Sequence, residues 1–218
     1  MAIAIGNKTA SNLNPAASSQ TLAHNQNTGS DLTLMVVISM QNSVNFVGCT
    51  YNGVAMTLVR NHHFSGLSKR QATYVIQAPA TGSNNIVVSF TGSQFNPTSI
   101  FACSFTGAGN YGAEAVNGGS TSPNSQSLTI AANSIIYATG ISNAAQSFGY
   151  DIGGSTRTNE FAHNINAQVE GALSATGLAV GATNVTTKAD SGNVTNYRIE
   201  ITEAGGGGTT EGSWLMIF

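Results

Sequence analysis

The stretch Thr50-Tyr51-Asn52-Gly53-Val54-Ala55-Met56-Thr57-Leu58-Val59 decides how the rest of the chain reads. Asn-Gly sits between two apolar runs. A type I′ turn needs positive φ at both central residues, and Asn followed by Gly meets that need at low steric cost. The pair predicts a two-residue β-hairpin, with Val54, Met56 and Leu58 on one face of the returning strand.

The same alternation recurs on either side. Asp31–Ser39 (DLTLMVVIS) is apolar on both faces in its middle, so it reads as a central, buried strand. Gln71–Pro79 aligns Ala72, Tyr74, Ile76 and Ala78; Asn85–Thr91 aligns Ile86, Val88 and Phe90; Thr98–Thr106 aligns Phe101, Cys103 and Phe105. Further strands are expected at Ala2–Ile5, Gln20–His24 (an edge), Ser127–Ala131, Ser134–Ser142, Glu160–Ile165, Gly171–Val180 and Thr195–Thr202. Gly107–Ser127 reads as a polar linker with room for one short strand near Gly112–Val116. Asn143–Thr156 and Gly181–Asn193 read as loops. Strand-like segments about every 10–15 residues, without a helical period, predict an all-β, antiparallel β-sandwich. The length of 218 residues suits one large β domain. The expected division is an extended N-terminal arm over residues 1–30, rich in Ala, Asn and Ser, and a sandwich over residues 31–218 with no exact internal repeat.

Charge is the unusual quantity. Asp, Glu, Lys and Arg make up 7% of the chain, against roughly 25% in a typical soluble domain. The surface must be built from Asn, Ser, Thr, Gly and Gln. Such a surface suits a protein packed into an assembly or placed outside a cell. Seven cations scattered over the chain offer no phosphate-binding patch, so no nucleic-acid partner is expected. The densest group, Lys69-Arg70 with Arg60, reads as a solvated hairpin end. No apolar run reaches membrane-spanning length, and Met1–Lys8 lacks the features of a secretion signal.

Chemistry finds little support in the residue pattern, and the expectation is that the chain is not an enzyme. His62-His63 on one strand would point to opposite faces and would not share a metal. The three Asp residues (Asp31, Asp151, Asp190) frame no serine triad, and no GxSxG is present. The six Glu residues include no pair that selects itself for glycoside hydrolysis; Glu200 reads as solvent-facing. Asp151 and Glu160 flank a Gly-rich loop that could take Ca²⁺, but no cofactor or metal is expected. Cys49 and Cys103 read as buried free thiols. Tyr111, Phe148 and Tyr150 fall in loop-like stretches and are candidate glycan contacts. Trp214, Leu215, Met216, Ile217 and Phe218 are apolar without a break. A segment apolar on both faces must be covered on both, which makes these five a core or intersubunit seam.

The span from Asp31 to Thr106 resembles a jelly-roll-like β-sandwich module of phage virion structural proteins, found in capsid decoration (cement) and tail or fibre proteins. Tyr51, Gly53, Met56, Thr57, Leu58 and Val59 carry the first piece of the pattern. Tyr74, Pro79, Thr81, Gly82, Ile86, Val88 and Phe90 carry the second, and Ser104, Phe105 and Gly107 the third. These are turn and core residues, so no functional site transfers. The resemblance implies a virion structural protein, assembled in a host cytoplasm and exposed on the particle exterior. The expected role is capsid decoration, with the major capsid protein or other virion subunits as partners, a trimer or other homo-oligomer as the assembly, and no membrane contact. A tail or fibre component that binds host-surface carbohydrate is the alternative. Deleting Gly212–Phe218 is expected to abolish soluble folding or assembly; a truncated chain that elutes and assembles like the intact one would contradict the seam assignment.

Overall fold

A computed structural model describes residues 2–205 apart from 14–15, 42–43, 95–96, 122–123, 143–147, 158, 165–167, 174–177, 179 and 190–192. The expected seam at Trp214–Phe218 lies outside the described residues. Eighteen strands and one short 3₁₀ turn, Ser65–Leu67, make up the described chain. All strand pairing is antiparallel, as an all-β sandwich requires.

The first nine strands are β1 (Ala4–Leu13), β2 (Ala17–Gln26), β3 (Thr33–Gln41), β4 (Phe46–Tyr51), β5 (Val54–Ala55), β6 (Thr57–Phe64), β7 (Lys69–Gln77), β8 (Gly82–Gln94) and β9 (Thr98–Thr106). They form sheet I, in the order β1-β9-β3-β7-β6, and sheet II, in the order β2-β8-β4-β5. The pairing is nested: first with ninth, second with eighth, third with seventh. The two sheets enclose a core of Leu34, Val36, Ile38, Phe46, Cys49, Tyr51, Tyr74, Ile86, Val88, Phe90, Ile100 and others.

The second nine are β10 (Ala108–Thr121), β11 (Asn124–Ile130), β12 (Ile135–Ser142), β13 (Phe148–Ile152), β14 (Ser155–Arg157), β15 (Asn159–Asn164), β16 (Gln168–Leu173), β17 (Gly181–Ala189) and β18 (Asn193–Glu203). Sheet III runs β10-β18-β12-β16-β15 and sheet IV runs β11-β17-β13-β14. Adding nine to every strand number of sheets I and II gives sheets III and IV. The second nine strands thus repeat the topology of the first nine, although the sequence carries no exact repeat.

Local geometry repeats with the topology. Asn52-Gly53 closes the β4–β5 hairpin with φ of 49° and 76°, as the Asn-Gly reading predicted, and Gly153-Gly154 closes β13–β14 with 60° and 78°. The first amide of each turn donates to the neighbouring strand: Asn52 to Asn85 O and Gly153 to Asn184 O, both at 3.0 Å. Asp31 and Asn133 precede the central strands β3 and β12 in the left-handed region, and Gly82 and Gly181 open β8 and β17 there. Register matches too. Met35 of β3 pairs with Cys103 and Val75, and Tyr137 of β12 pairs with Ile199 and Leu173.

Sheets I and III stack face to face and leave sheets II and IV outermost. Met35, Val37, Val75, Phe101, Cys103 and Phe105 from sheet I meet Ile135, Tyr137, Ile141, Tyr197, Ile199 and Ile201 from sheet III. Phe101 stacks on Tyr137 with ring centroids 5.4 Å apart. Equivalent positions supply both sides, as in an isologous dimer contact. The short linker at Gly107, with φ of 64°, carries the chain from one unit to the other.

Three expectations are corrected here. Residues 4–13 and 17–26, expected within an extended arm, form β1 and β2, which fill edge positions in sheets I and II. The expected linker over Gly107–Ser127 is β10 and the start of β11, and the expected loops contain β13, β14 and β17. Their sequences are polar and Gly-rich because many of their side chains face solvent or pack against small neighbours, which hides the apolar alternation. The third concerns Lys69, expected at a solvated hairpin end: it is buried, and burial lowers its pKa.

The two cores are filled differently. By register, Gly140 is the counterpart of Ile38, and Tyr150 of Cys49. Tyr150 occupies the space that an isoleucine would need, and its hydroxyl accepts the Gly140 amide proton at 2.8 Å. A Cβ built on Gly140 would lie 3.0–3.1 Å from Phe148 and Tyr150 ring atoms and hydroxyl. Gly140→Ala is therefore expected to destabilise the chain by about 1–3 kcal/mol through overpacking; an unchanged denaturation midpoint would show that the rings can yield.

Candidate functional site

Three features could carry function: a polar chain inside the first sandwich, two buried charged residues with separate partners inside the second, and the two outer sheet faces.

The inward positions of β2 are Gln20, Leu22, His24 and Gln26; three of the four are polar, and those three are buried. They create the first polar chain. The Thr9 hydroxyl lies 2.9 Å from His24 Nδ1, His24 Nε2 lies 2.8 Å from Ser104 Oγ, and Ser104 donates to Gln26 Oε1 at 2.8 Å. One proton arrangement satisfies every link. Ser104 gives its proton to Gln26, so it accepts from a protonated Nε2, and Nδ1 accepts from Thr9. Ser104 and His24 superficially resemble a nucleophile and its base. The proton runs the wrong way for that chemistry, since a base must accept from the serine. Ser104 is also fully buried. This chain is structural, and it joins β1, β2 and β9 across the sandwich.

At the matching register in the second unit, Leu128 and Ile130 replace His24 and Gln26, while Glu200 replaces Ser104 and Arg198 replaces Ala102. Arg198 is fully buried and donates to Gln126 Oε1 at 2.6 Å and to Val185 O at 3.0 Å. Burial lowers its pKa to about 10. Glu200, expected to face solvent, is 3% exposed. It does point away from the Tyr197–Ile199–Ile201 face, but sheet IV covers that side. Its carboxylate accepts from Ala113 N at 2.8 Å, Ala131 N at 2.6 Å and Ser134 Oγ at 2.5 Å. Three donors on one carboxylate describe a structural clamp between β10, the β11–β12 turn and β18.

Between the units, Arg60 of β6 pairs with Glu114 of β10, and Tyr197 donates to the other Glu114 oxygen at 3.2 Å. The Glu114 bond raises the Arg60 pKa. His62 is half-buried with its ring against Phe64 at 4.5 Å, while His63 is exposed, so the pair does not converge. No cluster of three or more potential metal ligands occurs among the described residues. Asp151, a candidate Ca²⁺ ligand, instead pairs with Lys188 and accepts from Thr156 at 2.8 Å, which lowers its pKa. Cys49 and Cys103 form no disulfide and lie in different cores. Burial pushes the Cys49 thiol up to about 12.

The candidate glycan contacts are corrected in part. Phe148 is 4% exposed and Tyr150 fully buried, both in the core between sheets III and IV. Neither ring can stack on a sugar. Tyr111 is half-buried and packs against the core between the units. The three are not brought together on one surface.

The outer faces are nearly free of charge. The strands of sheet II contain no Asp, Glu, Lys or Arg. Ser19, Thr21, Ala23, Asn25, Val47, Ser83, Asn85 and Thr91 are exposed on it. Sheet IV exposes Ser125, Ser127, Thr129, Ala182 and Asn184, and of its three charged residues Asp151 and Lys188 neutralise each other. This property was legible in composition. The inner polar chain was not, because Thr9, His24 and Ser104 are far apart in sequence.

The His24 environment makes a pH prediction. Burial lowers its pKa from 6.5 to about 4. Between those values the unfolded chain binds the extra proton, so stability rises with pH across the window. The contribution is full above about pH 6.5, falls as pH drops toward 4, and is on the order of 3 kcal/mol. His24→Leu, which copies the second unit, should flatten that part of a stability-versus-pH curve; an unchanged slope would remove His24 as its source. No family model, curated protein or solved structure matches this chain.

Proposed function

We propose that the protein is a virion structural component, most simply a decoration (cement) protein on a phage shell, acting through non-covalent contacts rather than chemistry. The observation that carries the reading is the pair of outer sheets. They present Ser, Thr, Asn and small apolar side chains over broad faces with almost no charge. Such faces have little long-range field and low desolvation cost, so many weak contacts can add up on a repeating lattice. The nested strand pairing of each unit supports the jelly-roll part of the proposal. The buried hydrogen-bonded chains and the stacked central sheets give a stiff body, which suits a load-bearing role. Major capsid protein or other virion subunits are the proposed partners, with a homo-oligomer as the assembled form on the particle exterior.

Of the three candidate rings of the carbohydrate-binding alternative, Phe148 and Tyr150 are buried and Tyr111 is half-buried. Incubating the purified chain with empty phage-type shells, and in parallel with a glycan array, separates the two. Regular added density on the shell lattice is the expected result. Selective glycan capture with bare shells would move the protein to a receptor-binding role.

A further inference from the structure

Asn52 and Gly53 form the exposed tip of the β4–β5 hairpin. The base of the hairpin is anchored: Tyr51 and Met56 are buried, and Met56 N donates to Cys49 O at 2.9 Å. The tip is held far less. β5 is two residues long, lies at the edge of sheet II and pairs with β4 through Thr50↔Ala55 and Tyr51↔Val54. Asn52 N donates to Asn85 O at 3.0 Å, but the Gly53 amide makes no hydrogen bond among the described residues. A Cβ built on Gly53 would meet nothing within 4 Å, so the peptide that follows Asn52 is open to solvent. Short, exposed elements of this kind open locally at low free-energy cost.

This arrangement leaves the side-chain amide carbon of Asn52 next to an unhindered backbone nitrogen. Asparagine is a thermolabile residue, and glycine has no side chain to obstruct the approach. We infer that Asn52 is a site of spontaneous, backbone-assisted deamidation. Base removes the Gly53 amide proton, and the nitrogen attacks Asn52 Cγ. The new N–Cγ bond forms, the bond from Cγ to the side-chain nitrogen breaks, and ammonia leaves with a proton from solvent. Water then opens the cyclic imide at either carbonyl, giving aspartate or isoaspartate; no oxidant or reductant takes part. The product places a carboxylate at the end of a sheet whose strands contain no charged residue. Isoaspartate also adds a methylene to the main chain, which breaks the fit of a two-residue turn. The fold does not demand this asparagine, since Gly153-Gly154 makes the matching turn in the second unit. The inference concerns the chain alone and does not depend on the virion reading.

A second Asn-Gly pair serves as an internal control. Asn117-Gly118 lies within β10, where Asn117 registers with Asn196 of β18. The full chain is stored at neutral and mildly alkaline pH, natively and in urea, and both peptides are followed by mass spectrometry with an isoaspartate methyltransferase assay. In the native chain Asn52 should convert several-fold faster than Asn117, and faster at the higher pH because the attacking nitrogen must lose its proton. In urea the two rates should converge. Asn52→Gly, which copies the second unit, should remove the acidic species that accumulates on isoelectric focusing, with the far-ultraviolet circular dichroism unchanged. An Asn52 that stays intact in the native chain while it converts in urea would overturn the proposal. So would native conversion of Asn117 at the same rate as Asn52, since the exposed tip would then confer nothing.

Discussion

The contact between sheets I and III is the constraint on which the rest of the structure depends. Each of these sheets is covered on both faces, once by its own outer sheet and once by the other unit. Their central strands β3 and β12 are therefore buried throughout, and strands in that position must be apolar on both sides. Sheets II and IV need only one apolar face. Their other faces are free to be polar, and that freedom is what allows the low charge of the chain. The Arg60–Glu114–Tyr197 group closes one margin of the contact. As a partly exposed ion pair it is worth about 0–1 kcal/mol, so apolar stacking dominates the junction.

The two units share what the backbone needs and differ in their side chains. Left-handed residues recur at matching turns, because register and crossover geometry depend on them. Core residues compensate in groups. Gly140 with Tyr150 fills the volume that Ile38 and Cys49 fill in the first unit. Polar residues also differ as groups: a neutral hydrogen-bonded chain in one core, and Arg198 and Glu200 with their separate partners in the other. Buried polar groups are tolerated only when their partners are present with them.

For function, the division into inner and outer layers is the informative result. Titratable groups with perturbed pKa values are often active-site markers. Here His24, Cys49, Tyr74 and Arg198 in the two sandwich cores are all shifted by burial, and His24 and Arg198 hold strands together. The outer sheet faces are broad and carry little charge. These faces are the basis of the proposed role in contacts with other surfaces.

Sequence alone determined the all-β class, the Asn52-Gly53 hairpin, the central place of Asp31–Ser39, the edge place of Gln20–His24, the buried thiols without a disulfide and the low-charge surface. Each of these follows from local turn chemistry, short-range alternation or composition. Tertiary structure alone decided the rest. The repeated topology is invisible in residue identity because turn geometry can be met by Asn-Gly or Gly-Gly, and core volume by different combinations of side chains. The strands in 108–130 and 148–189 carry Gly, Asn, Ser and Thr where a sequence reading sees loops. Phe148, Tyr150 and Glu200 looked available to solvent, because alternation tells which face a residue takes but not whether another sheet covers that face.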